Sequence, residues 1–169
     1  MKPYETAKAS VTVLDPEDAN VPESLRRAFA YWDGLRGDKA LPLKGDFQLL
    51  DLDPRIIPYT IVADVLTDPL DFRYRFWGSG NTTFIGYDCT GQSVRENPLF
   101  SDKVFSECAR IYNDGAALVF HTHVLKPDGI HREYWRLRLP LIDETGDVAQ
   151  IVTIGNILEK PSKPLSEIF

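Results

Sequence analysis

The stretch ALVFHTHVL-KPDG-IHREYWRLRLP-LIDETG-DVAQIVTIGNI, Ala117–Ile157, reads as three consecutive antiparallel strands. The strands are Ala117–Leu125, Ile130–Pro140 and Asp147–Ile157, and each is rich in β-branched and aromatic residues. Pro127-Asp128-Gly129 punctuates the first connection and Asp143-Glu144-Thr145-Gly146 the second. Glycine supplies positive φ there, and aspartate bonds its own backbone. With Asp128-Gly129 as a two-residue tip, Phe120 pairs with Leu137, Thr122 with Trp135 and Leu118 with Leu139. That face is apolar. His121, His123, Arg132, Tyr134, Arg136 and Arg138 then fall on the other face. An odd-length connection would exchange the faces of one strand.

Upstream, the punctuation defines further elements. Leu25, Ala28, Phe29, Trp32 and Leu35 form one apolar stripe at helical spacing, predicting a helix over Pro22–Leu35 with Asn20 as its cap. Its stripe buries either against the domain's own sheet or in a dimer. Pro42, Pro54 and Pro58 break residues 38–58. Tyr59–Leu66 and Phe72–Trp77 read as a hairpin with Phe72, Tyr74 and Phe76 on one face and Arg73, Arg75 and Trp77 on the other. Asn81–Ile85 makes a helical turn. A second helix runs from Pro98 to about Asn113, with Asn97 as cap and Phe100, Val104, Cys108 and Ile111 along its stripe. Residues 1–20 hold a β-like SVTVL, Ser10–Leu14, and read as a flexible arm or edge strand. Residues 21–58 form a helical extension, 59–158 the core and 159–169 a tail. Strands interrupted by helices indicate α+β with one antiparallel sheet.

Composition bounds the function. The 169 residues suffice for one domain with a real core, and 43% hydrophobic with 26% charged residues is ordinary for a globular chain. A net charge of −6 argues against non-specific nucleic-acid or anionic-membrane binding. Two cysteines, Cys89 and Cys108, make no disulfide framework. The N-terminus lacks the apolar core of a signal peptide, and no apolar run approaches the roughly 20 residues of a spanning helix. The expected location is cytoplasmic.

The order of elements resembles a PAS domain over Tyr59–Leu158. Phe76-Trp77-Gly78 through Asn81, then Phe84-Ile85-Gly86-Tyr87 and Thr90-Gly91, resemble the passage from the second PAS strand into its first helices. Lys126-Pro127-Asp128-Gly129 resembles the family's Asp-Gly turn, and Leu139-Pro140-Leu141-Ile142-Asp143 with Gly146 its turn before the last strand. Gly155-Asn156-Ile157-Leu158 stands where many members end in Asp-Ile-Thr. Tyr31-Trp32-Asp33, Arg36-Gly37 and Leu41-Pro42 resemble the extension of a bacterial subgroup of near-stand-alone PAS proteins of mostly undefined activity. The resemblance implies a five-stranded antiparallel sheet in the order 2-1-5-4-3, helices on one face and a sensory or regulatory function. It departs from the family in the place of the upstream Asn and in lacking Asp-Ile-Thr.

The implied pocket would hold an uncharged small ligand among Phe120, Trp135, Cys108, Tyr112 and Phe84, with Glu133 facing the same interior, or would be filled by side chains. Trp32 and Phe29 on the helix, and Arg136 and Tyr134 on the sheet, are the candidate contacts for a partner: a second copy of the chain or an unknown signalling protein. Cys89 lies in Tyr-Asp-Cys-Thr-Gly, unlike the cysteine motif of flavin photosensors, and all three histidines fall on strands, unlike haem ligands. No cofactor is therefore expected. His121 and His123 point the same way and could share a metal, as in a cupin-like metal-dependent enzyme, the alternative reading. Against it, the second half of such a motif is missing, and Arg132 and Arg136 are expected on that face. No metal and no catalysis are expected.

Overall fold

Alternating apolar residues and turn chemistry produce one six-stranded antiparallel sheet in the computed structural model, which describes residues 8–96, 101–125 and 131–156. The strands are β1 (Lys8–Leu14), β2 (Thr60–Leu66), β3 (Asp71–Trp77), β4 (Leu118–Leu125), β5 (His131–Ile142) and β6 (Val148–Asn156). The helices are α1 (Glu23–Arg36), α2 (Ser79–Ile85) and α3 (Ser101–Asp114). The sheet order is β1-β4-β5-β6-β2-β3. Counted from β2 and read from the β3 edge, that is the expected 2-1-5-4-3, with β1 added beside β4 as a sixth strand. The sheet is open, so the closed barrel of the cupin-like alternative is not formed.

Helices cover both faces. α1 lays Leu25, Ala28 and Trp32 on one face, against Val119, Trp135, Leu137, Leu139, Leu141, Val152 and Ile154. The Trp32 indole Nε1 donates to the Pro140 carbonyl across a buried 2.9 Å, pinning α1 to β5. Phe29 stacks on Trp32 with ring centroids 5.6 Å apart. The stripe thus buries against the domain's own sheet. No side chain caps α1, and its first residue follows Pro22 rather than the expected Asn20. On the opposite face, α3 packs Cys108 and Ile111 against Phe72, Tyr74, Trp77, Phe120 and Ile151. The expected cap Asn97, Pro98 and Phe100 lie outside the described residues, as do the turn at 126–130 and the tail from 157.

Two register corrections follow from local irregularities. Between β4 and β5, Phe120 pairs with Arg136, His121 with Trp135, Thr122 with Tyr134 and His123 with Glu133. This is one residue away from the expected register. The last pair, Leu125 with His131, leaves the five residues 126–130 between the strands, an odd number, instead of a two-residue tip. Because side chains alternate, a one-residue slip moves a whole strand's set across the sheet. In the first hairpin a bulge lies between Val62 and Ala63, which face Phe76 and Tyr74, so Arg75 has no opposite residue. Phe76 therefore packs with the α1 layer, and Trp77 joins Phe72 and Tyr74 in the α3 layer.

The passage from β3 into α2 requires its glycines. A Cβ on Gly78 would lie 2.3 Å from the Pro58 carbonyl oxygen, and one on Gly80 2.5 Å from the Tyr59 ring. Buried Asn81 donates to the Thr60 carbonyl at 3.3 Å and ties α2 to the start of β2. Gly86, at φ 105°, ends α2 in the left-handed region. Among the described residues no helix is long and apolar enough to cross a membrane.

Candidate functional site

Helical spacing puts Glu107 in the apolar stripe of α3, between Val104 and Ile111 and beside Cys108. A carboxylate there is only 6% exposed and needs a counter-charge. The alternation of β5 supplies it, sending Arg136 and Arg138 to the α3 face. Arg136 donates to the two Glu107 carboxylate oxygens from Nη2 at 2.8 Å and Nε at 3.2 Å. Arg138, 4% exposed, donates to Glu107 Oε2 from Nη2 at 2.7 Å and Nε at 3.0 Å. Its Nη1 reaches the Thr153 hydroxyl at 2.7 Å. One turn before Glu107, the Lys103 ammonium donates to Thr122 Oγ1 at 2.9 Å, and Arg136 donates to the same oxygen at 2.8 Å.

Positive charges outnumber negative ones in this cluster among the described residues. There, Lys103, Arg136 and Arg138 carry three positive charges against the single charge of Glu107. The Thr122 hydroxyl oxygen thus accepts from two cationic donors. Electrostatics agree with the geometry. Burial alone would raise the Glu107 carboxyl, but Arg138 and Arg136 overcome it and lower the group to about 2. Burial, reinforced by Arg136, lowers the Lys103 ammonium to about 8. Burial also lowers Arg136, against the pull of Glu107. Cys108, fully enclosed, is pushed up by burial, and Cys89 is pushed up to about 11 by burial, so neither thiol is poised as a thiolate.

The sequence-named pocket divides between the two faces. Phe120, Cys108 and Tyr112 belong to the α3 layer, with Phe120 5.9 Å beneath the Arg138 guanidinium. Trp135 belongs to the α1 layer, and Glu133 stands on that same face beside His121 and His123. The register slip separates these sets. The Phe84 side chain lies outside the described residues. Of the candidate partner contacts, Trp32 is 4% exposed and Arg136 is committed to Glu107, so neither is a free surface of this chain. Phe29 and Tyr134 are half-buried. Glu107, Lys103, Thr122 and Thr153 were not singled out from the sequence. The legible signal was a carboxylate at the i+3 position of an apolar stripe, with two arginines at alternate positions of a facing strand.

A second cluster lies on the α1 face. The His121 ring stacks on Trp135 at 3.5 Å between centroids and 11° between planes. The Glu133 carboxylate sits 3.5 Å from His121 Nε2 and 3.4 Å from His123 Nδ1. Burial, and then neighbouring His123, lower the His121 imidazole.

No family model matches the chain, and no curated protein matches it. Among solved structures it is similar to the light-state dimer of the fungal blue-light photoreceptor Vivid, at 14% identity and a TM-score of 0.47 over 83% of this chain and 99% of that one. It is also similar to the dark structure of the blue-light photoreceptor Aureochrome1 LOV, at 17% identity and a TM-score of 0.45 over 68% of this chain and 85% of that one. The PAS domain of a protein from Colwellia psychrerythraea is similar at 17% identity and a TM-score of 0.40, over 61% of this chain and 89% of that one. The order of the strands, with the helical segments after β3 and α3 laid across one face, carries the fold assignment. The chain has the PAS fold. Within that fold the Glu107–Arg136–Arg138 cluster lies between α3 and the sheet, and the paired imidazoles lie on the outer face.

Proposed function

We propose that this PAS-fold protein is a sensory module without catalysis of its own, which takes a small carboxylate-bearing ligand between α3 and the sheet. The signal passes on through protein–protein contact or a change in self-association. One observation carries the reading: three cationic side chains converge where, among the described residues, one carboxylate accepts from them. Buried charges are stable when paired, and a surplus of buried cations favours an incoming anion. Burial already disfavours the charged form of Lys103, and a second carboxylate would restore it. The uncharged ligand expected from the sequence is replaced by an anionic one, because the register sends Arg136 and Arg138 inward.

The test is a thermal-shift and titration-calorimetry screen of small mono- and dicarboxylates, with inorganic phosphate alongside. A ligand at 100-fold its Kd stabilises the folded state by about 2.7 kcal/mol. The reading expects at least one carboxylate to raise Tm, with affinity reduced in Lys103→Met. Light scattering with and without it reports any change in self-association. No stabilisation by any carboxylate, or binding indifferent to Lys103→Met, would refute the reading.

A further inference from the structure

We propose that His121, His123 and Glu133 form a binding site for a divalent transition-metal ion of the Zn²⁺ class, with its fourth coordination position open to solvent. The site is built by strand geometry. His121 and His123 are alternate residues of β4, so both rings stand on one face, and Glu133 is the cross-strand partner of His123 on β5. One ligand atom from each residue lies within 4.8 Å of the others.

The separations are longer than hydrogen bonds. Glu133 Oε2 stands 3.5 Å from His121 Nε2 and Glu133 Oε1 3.4 Å from His123 Nδ1, beyond the usual reach of an N–H···O bond. A tetrahedral ion with bonds of about 2.0–2.1 Å holds its ligands about 3.3–3.4 Å apart, so binding draws the three ligand atoms inward from a spread of up to 4.8 Å. His121 Nε2 is moreover a buried nitrogen with no hydrogen-bond partner among the described residues. Such an atom calls for an explanation, and a metal bond supplies one. Stacking on Trp135 already fixes the orientation of that ring.

The register correction also removes one part of the objection raised by the sequence. Arg136, expected to crowd the imidazoles, instead points to the α3 face and binds Glu107. Two imidazoles and one carboxylate suit Zn²⁺ and its neighbours in the first transition row, and not Mg²⁺, which prefers oxygen. The Glu133 and His123 side chains are 41% and 40% exposed, and beside them runs the edge strand β1 with exposed Ser10 opposite His123. The fourth position therefore faces water.

The experiment is calorimetric titration of ZnCl2 into untagged, chelator-treated full-length protein, with Co²⁺ absorption as an independent readout of tetrahedral ligation. Competing donors are few, since the chain has three histidines and two cysteines, and both cysteines are buried. The expected result is one equivalent of Zn²⁺, affinity at least tenfold weaker in Glu133→Gln, no site in the double variant His123→Ala/Glu133→Gln, and no binding of Mg²⁺. These half-exposed positions are chosen because His121→Ala would remove the stacking on Trp135. If the double variant loses its fold by circular dichroism, the single Glu133→Gln decides. Absence of stoichiometric Zn²⁺ binding, or an affinity unchanged by Glu133→Gln, overturns the proposal.

Discussion

Replacing Glu107 by Ala removes the carboxylate that accepts four N–H donors, at 2.7, 2.8, 3.0 and 3.2 Å, from Arg138 and Arg136. Two guanidinium groups then stay between α3 and the sheet without their counter-charge. Breaking a buried ion pair on one side costs about 3–5 kcal/mol, because the remaining charge stays desolvated. For a chain of this length each kcal/mol moves Tm by about 2–4 °C, so the loss is roughly 6–20 °C. Thermal denaturation followed by circular dichroism measures it, with urea midpoints as a second scale. The variant also opens a carboxylate-sized gap lined by cations. Added formate or acetate should therefore recover part of the lost Tm in Glu107→Ala, while neutral formamide should not. A change below about 1 kcal/mol would mean that water reaches the arginines freely and that the cluster is not a buried charge site. Recovery by formamide as well as formate would mean that volume rather than charge was restored. Either result refutes the reasoning.

Four other expectations follow. Lys103 has a lowered value in the folded chain, about 8 against the ordinary 10.5, so the unfolded chain binds more protons between them and stability should rise with pH across that window. The rise is at most about 3 kcal/mol before solvent screening reduces it, and pH-dependent urea titrations should show it absent in Lys103→Met. Glu107 has the same sense in a lower window: its stabilisation is present above its unfolded value and lost as pH falls towards about 2, so Glu107→Gln should flatten the acid limb of the Tm profile. Gly78→Ala places a Cβ 2.3 Å from the Pro58 carbonyl oxygen, a backbone atom, and should cost about 1–3 kcal/mol or more in urea. Trp32→Ala should cost about 3–5 kcal/mol by calorimetry, since it removes a buried ring and the bond that pins α1 to β5.

Much of this fold was legible because the strong signals are local. The stripe of Leu25, Ala28 and Trp32 marks α1 and its buried face. Gly78, Gly80 and Gly86 mark where the chain must turn tightly, and the Asp143–Gly146 turn separates β5 from β6. What escaped depended on counting across a connection. A single extra residue between β4 and β5 decides whether Arg136 and Arg138 face α3 or solvent, and alternation alone is consistent with both. The same parity decides whether Glu133 and Trp135 share a face with Phe120 or with the two imidazoles. The bulge opposite Val62 and Ala63 has no strong residue signature either, and it exchanges Phe76 and Trp77 between layers. The edge position of β1 beside β4 is a long-range pairing that SVTVL permits but does not specify. Glu107 was readable in principle, as a charge in an apolar stripe. Its meaning needed the facing strand in the right register.

The most direct measurement is the titration of Lys103 by NMR, with its side-chain Cε resonance assigned by its loss in Lys103→Met. The surplus-charge account expects a midpoint near 8 in the free protein and a rise towards the ordinary lysine value when a bound carboxylate supplies the missing counter-charge. A midpoint already at the ordinary value in the free protein, or one that stays near 8 under every saturating carboxylate, would contradict it.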